Sequence, residues 1–120
     1  MTQEDKDLLL QDLCGRLAYQ TQVYAQNDID WYEDEICTQV LSDVINNDYT
    51  VKPYLFPMSS MTEEQKEEYC QLQQKIIYNS KGPVNTDIMN YINWCYKNHI
   101  DVNELIPLGL ALDATGLNIY

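Results

Sequence analysis

One imidazole, four thiols and a run of carboxylates are the side chains with the widest chemical reach in this chain. The imidazole is His99, two residues from Asp101. A Cys-His or His-Asp pair does nucleophilic or acid–base work only when the groups meet in space beside a reacting atom. Nothing in the spacing brings Cys14, Cys37, Cys70 or Cys95 to His99. The plainer reading is a histidine at a helix end, close to the negative pole of the dipole. A site assembled from distant residues would draw on Tyr54, His99 and Asp101. A lone histidine without close thiolate or carboxylate company makes no transition-metal site. No phosphate-binding loop, dinucleotide fingerprint or nucleophile elbow is present either. No catalytic residue, metal or cofactor is therefore assigned.

The cysteines lie at wide intervals with no C-x-x-C pair, which argues against a zinc knuckle or a redox motif. Each has apolar neighbours and reads as a small buried hydrophobe. The carboxylate run is Asp28-Ile29-Asp30-Trp31-Tyr32-Glu33-Asp34-Glu35. It lacks the glycine and the oxygen-ligand alternation of a calcium loop. Aromatic anchors in a charged rim are instead a common composition of protein-binding hot spots. Asp28, Asp30, Trp31, Tyr32, Glu33, Asp34 and Glu35 are thus the candidate binding residues. Strand alternation puts Trp31 on the face of Ile29, toward the core, and Tyr32 outward with Asp30 and Asp34.

The 19 acidic and 7 basic residues leave a net charge of −12. That field repels nucleic acid and anionic membrane and favours a protein partner with a basic surface. No apolar run approaches the length of a membrane span, and the opening Met1-Thr2-Gln3-Glu4-Asp5-Lys6 is no signal peptide. The expected setting is a reducing cytoplasm with free thiols; the oligomeric state is left open. At 120 residues the chain suits a single domain, 1–120.

The elements that must hold these groups read as α+β. A short first helix begins at Thr2, with Asp5 three residues on as a variant capping box. Leu9, Leu10, Leu13 and Leu17 form its apolar stripe, and Gly15 reads as its stop. Alternation over 19–24 and 29–34 predicts an antiparallel hairpin. Glu35 to Asn46 fits two patterns. Ile36, Val40, Leu41, Val44 and Ile45 match a helical stripe, but β-prone Cys37-Thr38 and Val40 favour a third strand. Tyr49-Thr50-Val51 adds a short last strand, completing a small antiparallel sheet of three to four strands. Two prolines make Lys52–Pro57 an extended connector rather than a central strand. Thr62 and Gln65 form a capping box that opens a helix with Tyr69, Leu72 and Ile76 on its buried face. Asn79-Ser80-Lys81-Gly82-Pro83 ends it. A second helix, 85–98, carries Ile88, Met89, Ile92 and Cys95 on its face. An apolar tail from Asn103 to Leu112 must be docked to be stable.

Three separated strings carry a resemblance. Lys52-Pro-Tyr-Leu-Phe-Pro-Met-Ser-Ser-Met-Thr-Glu-Glu-Gln65 is similar to the K-P-Y-L-R/F-P-L/M-S-S-M-T-E-E signature of a family of small uncharacterised proteins from gut anaerobic bacteria and their prophages. Asp7-Leu-Leu-Leu-Gln-Asp-Leu-Cys-Gly-Arg-Leu17 resembles that family's L-L-L-K-D-L-C-A-R-L opening. His99-Ile-Asp101 with Leu105-Ile-Pro-Leu-Gly-Leu-Ala-Leu112 resembles its H-F-D and L-I-x-x-G-L-A-L close. The chain departs from the pattern at Ala18-Tyr19-Gln20, where P-Y-G is usual, and at Val102-Asn103-Glu104, where Y-R-G is usual. The resemblance implies one fold over the whole chain and a mobile-element setting, and it brings no activity with it. The expected function is a non-enzymatic protein-binding module. The alternatives are a DNA-mimic inhibitor of a nucleic-acid-binding host protein, a structural accessory protein, or an enzyme with an unrecognised site.

Overall fold

The side-chain oxygen of Thr2 accepts the Asp5 amide at 3.1 Å, and the first helix starts there as the capping pattern requires. In a computed structural model, which describes residues 1–77 and 85–120, this helix is α1, Gln3–Arg16. It is followed by β1 (Gln22–Gln26), β2 (Trp31–Glu35), α2 (Thr38–Ile45), β3 (Thr50–Leu55), α3 (Glu63–Ile77), α4 (Asn85–Lys97) and β4 (Leu112–Asp113). The class is α+β, with an N-terminal helix, a sheet and two later helices in the expected order. The sheet runs β2-β1-β3-β4. β1 pairs antiparallel with β2 and β3, but β4 is parallel to β3, so the sheet is mixed rather than antiparallel throughout.

Three sequence expectations fail for physical reasons. The 35–46 segment is a helix over Thr38–Ile45, not a strand. Val40 and Val44, four apart, are both buried beside Ile36 and the core leucines Leu9 and Leu13. Burying that stripe outweighs the modest β-preference of its residues. The Lys52–Pro57 connector is also wrong, because Thr50–Leu55 is an interior strand. Pro53 faces Val23 of β1, whose own ladder bonds point to β2 (below), so the missing N–H of proline is directed to the β4 side. The β4 ladder begins only at Tyr54, so no bond is lost there. Gly15, finally, stops nothing: α1 continues through Arg16.

The core is one layer between the inner face of the sheet and α1 and α2. Val23, Ala25, Val51 and Leu55 from the sheet meet Leu9, Leu13, Val40 and Val44. The apolar tail docks as expected, burying Leu105, Leu110 and Ala111. Asp101 organises that docking. Its two carboxylate oxygens accept the Leu105 and Ile106 amides at 2.8 and 2.9 Å.

Beneath α1 lies a charged pair with no exposure at either side chain. Arg16 Nε donates to Asp12 Oδ2 at 2.7 Å and Nη2 to Oδ1 at 3.0 Å. The stripe of α1 is therefore rotated from the all-leucine reading, with Leu9, Asp12, Leu13 and Arg16 inward and Leu17 exposed.

α3 and α4 form an antiparallel hairpin. Its start has the predicted capping box: Thr62 Oγ1 accepts the Gln65 amide, and Gln65 Oε1 accepts the Thr62 amide. The expected stop at Asn79–Pro83 lies outside the described residues. The molecule measures 54 × 29 × 24 Å, elongated for its length.

Candidate functional site

Only Cys95 is buried; Cys14, Cys37 and Cys70 are exposed, against expectation, because none lies on a stripe that faces the core. All four are free thiols. Burial pushes the Cys95 thiol up to about 11, with the Arg16 charge pulling weakly the other way, so it is a poor nucleophile. His99 does sit at a helix end. The Ile100 amide reaches the Cys95 carbonyl at 2.8 Å and the His99 amide that of Tyr96 at 3.0 Å, with His99 left-handed at φ 59°. That is a Schellman C-cap. The imidazole Nδ1 lies 3.2 Å from Thr21 Oγ1, and the ring stacks on Tyr120 at 3.7 Å. Asp101, with both oxygens engaged by backbone amides, makes no hydrogen bond to His99. Tyr54, His99 and Asp101 are thus not brought together as an acid–base relay. Among the described residues no cluster of His, Cys, Asp or Glu is arranged to hold a metal.

Tyr120 has a role that no motif or spacing points to. Gln22 and Tyr54 would be the next partners in the β1–β3 ladder. The Tyr120 hydroxyl stands between them, accepting the Gln22 amide at 2.8 Å and donating to the Tyr54 carbonyl at 2.7 Å. A phenol here extends the sheet where its strands part. Tyr19, Gln20, Gln22, Glu35, His99, Ile119 and Tyr120 line a shallow cleft of about 310 Å³ beside it.

Burial of His99, with a smaller push from Arg16, lowers its pKa from 6.5 to about 4. The folded state favours the neutral ring. Between pH 6.5 and 4 the unfolded chain holds a proton that the folded chain refuses, so this contribution is complete above pH 6.5 and is lost as pH falls toward 4. For a half-buried ring we expect about 1–2 kcal/mol after solvent screening. Urea titrations at pH 7 and pH 4.5 check this. His99→Asn, which tolerates the left-handed backbone, should flatten that part of the pH dependence. An unchanged pH profile in the variant would count against the assignment.

The carboxylate run falls into three groups. Asp28 and Asp30 occupy the β1–β2 turn, which is organised by Asn27: its Oδ1 accepts the Ile29 and Asp30 amides. Tyr32 points inward, the reverse of the expectation. Its hydroxyl donates to Asp43 of α2 at 2.7 Å and its ring meets Tyr49 edge-on. Trp31 consequently points outward and is 60% exposed. Ile29, whose apolar side chain suggested the opposite phase, sits in the turn fully exposed and sets no face.

Strand parity explains the rest. The Ile36 amide bonds the Thr21 carbonyl and the Asn27 amide bonds the Asp30 carbonyl, so even-numbered positions of β2 face β1. The amides of Trp31, Glu33 and Glu35 therefore point to the free edge. Two of these three donors are taken by neighbouring side chains: Asp30 Oδ1 accepts Trp31 N–H at 2.8 Å and Asp34 Oδ1 accepts Glu35 N–H at 2.7 Å. With acids along it and donors filled, this edge is a poor template for another strand.

The face is a different matter. Trp31, Glu33 and Glu35 of β2 lie on the outer side of the sheet with Gln22, Tyr24 and Gln26 of β1 and Thr50 and Lys52 of β3. In register, Glu33, Tyr24 and Lys52 form one row across it, and Trp31, Gln26 and Thr50 the next. The rings of Tyr24 and Trp31 are stacked, 6.1 Å apart and 22° from parallel. A depression of about 440 Å³ adjoins them, lined by Tyr24, Gln26, Asn27, Asp28, Thr50, Lys52 and Leu112. Of the seven candidate binding residues, the fold keeps Trp31, Glu33 and Glu35 together on this face, with Asp28 at its rim. It turns Tyr32 away and uses Asp30 and Asp34 on the edge. Tyr24, Gln26 and Lys52 join from other strands, and only the cross-strand register could have found them.

No helix among the described residues is long and apolar enough to cross a membrane. The chain matches no protein-family model, no curated protein and no solved structure.

Proposed function

We propose that this chain is a non-enzymatic binding module that takes a basic segment of a partner protein on the outer face of its sheet. The observation that carries the reading is the stacked Tyr24–Trp31 pair on a face that none of the described helices covers, with Glu33 and Glu35 beside it. An arginine or lysine laid on those rings gains a cation–π contact, and the flanking carboxylates can pair with it. The net charge of −12 speeds the encounter with such a partner and discourages nucleic acid. The site acts in the cytoplasm, and in the mobile-element setting that the resemblance implies, the partner is a basic host factor. That leaves no catalytic role for the residues on this face.

Titration with arginine-rich, lysine-rich and neutral peptides at low salt, followed by pull-down of partners, tests the proposal. Trp31→Ala is expected to weaken binding roughly tenfold or more while leaving stability nearly unchanged, as for an exposed aromatic hot spot. Glu33→Gln with Glu35→Gln should weaken binding and shrink its salt dependence. Should neutralising Asp30, Glu33, Asp34 and Glu35 together leave every partner bound, the proposal fails. A partner that DNA displaces competitively would turn the reading into DNA mimicry.

A further inference from the structure

The α3–α4 hairpin is built like half of something. α3 has no buried residue along its fifteen positions. Its principal packing partner is α4, through a Tyr69–Tyr91 hydroxyl contact at 3.0 Å and a Trp94 Nε1 bond to Glu68 at 2.8 Å. Beyond those contacts Leu72, Ile76, Ile88 and Ile92 are only half-buried, and Ile77 and Met89 are 67% and 60% exposed. Helices draw most of their stability from burying an apolar face, and a pair alone leaves much of that face wet.

Charge tells what can cover it. The chain as a whole is −12. Yet Tyr69–Ile77 carries one charge, Lys75, and 85–93 carries one, Asp87. The two helical stretches of the distal half therefore balance to zero, with Lys81 in the segment that joins them, while the base holds Glu63, Glu64, Glu67 and Glu68 against Lys66. A basic partner gains nothing from a neutral surface. A second copy of this acidic chain can approach there without meeting its own charge. We propose that the distal halves of two such hairpins pack across a two-fold axis as an antiparallel four-helix bundle, making the protein a homodimer. In that arrangement each α3 carries its neutral half alongside its partner's and the two acidic bases stay at opposite ends. The two helices are each about 20 Å long, so the shared face lies at or below the size of a standard stable interface. The dimer is then a weak one.

Sedimentation equilibrium across a range of concentrations reads the outcome directly. The expected result is a monomer–dimer equilibrium that tightens with added salt, because screening relieves the mutual repulsion of two acidic bodies. Binding of a basic partner at the sheet weakens with salt, so the two proposals succeed or fail separately. Ile76→Glu should raise the dimer Kd at least tenfold, its helicity checked by circular dichroism. Met89→Lys, at a position 60% exposed, should do the same should Ile76→Glu fail to fold. Hydrogen exchange of α3 amides should slow as concentration rises. A monomer at all concentrations and salts overturns the proposal. So does a dimer that Met89→Lys leaves intact and Trp31→Ala disrupts.

Discussion

Asp12→Ala is expected to cost about 3–5 kcal/mol, a large part of the stability of a domain this size. Asp12 and Arg16 are both without solvent exposure. Asp12 accepts two bonds from Arg16 and one from Asn103 Nδ2 at 2.8 Å. Arg16 Nη2 also donates to the Ile100 carbonyl at 2.8 Å, and its Cζ lies 4.7 Å over the Tyr96 ring. Nη1, equally buried, has no hydrogen-bond partner among the described residues. The guanidinium is thus held by one carboxylate, one carbonyl and an aromatic face, and only the carboxylate neutralises it. Alanine at position 12 would strand a full charge in the core, where desolvation is costly. The pair is not valuable because it is a salt bridge: replacing both partners by Asp12→Leu with Arg16→Met should recover most of the loss, since well-packed apolar side chains often match a buried pair. Urea denaturation of the two singles and the double gives the coupling energy. A loss below about 1 kcal/mol for Asp12→Ala would show that water reaches the guanidinium and that the pair is a surface one.

The same pair shows where sequence reasoning succeeds and stops. The N-cap at Thr2 and the capping box of Thr62 with Gln65 are readable because each is settled within four residues. The spacing of Asp12 and Arg16 was equally local, but its burial was not. It depends on Ile100, Tyr96 and Asn103, eighty or more residues away in the chain. The helix over Thr38–Ile45 was visible as a stripe and lost to propensity. Local preferences of Cys37, Thr38 and Val40 point to a strand, and they yield to the two core positions that a helix fills with Val40 and Val44. Pro53 misled because the rule against proline in a sheet concerns donors, and this donor site faces the side where β4 has not yet begun.

The candidate face was half readable. Trp31, Glu33 and Glu35 were chosen from composition, which carries no phase. Along β2 neither parity is apolar, so hydrophobic alternation had no contrast to work with, and exposed Ile29 supplied a false one. What fixes the phase is Tyr32 reaching Asp43, a contact that exists only because 38–45 is a helix. The phase taken from Ile29, a turn residue that faces solvent, is therefore what turns Trp31 and Tyr32 to the wrong sides. The row Glu33, Tyr24, Lys52 needs two strand registers at once, and no single segment holds that information.

The second large effect reverses a rule of thumb. Glycine within a helix is normally improved by alanine, by about 1 kcal/mol. At Gly15 the opposite is expected, a net loss of about 2 kcal/mol. A Cβ there would overlap Cε2 of Tyr96 and stand 2.9 Å from its Cδ2 and Cζ. The Tyr96 ring has little freedom to retreat. It is buried, Arg16 lies over its face, and Asn103 Nδ2 stands 3.4 Å from its hydroxyl. The absent side chain is what lets α4 lie close to α1. Truncating the obstacle tests this. Tyr96→Leu alone should destabilise by removing a buried ring, but adding Gly15→Ala to it should now stabilise by up to about 1 kcal/mol, the helix gain without the clash. Thermal melts of the four proteins in this cycle decide it. If Gly15→Ala stabilises the unaltered protein, the close approach of α1 and α4 is not tight, and the burial of the Asp12–Arg16 pair beneath it would have to be reconsidered as well.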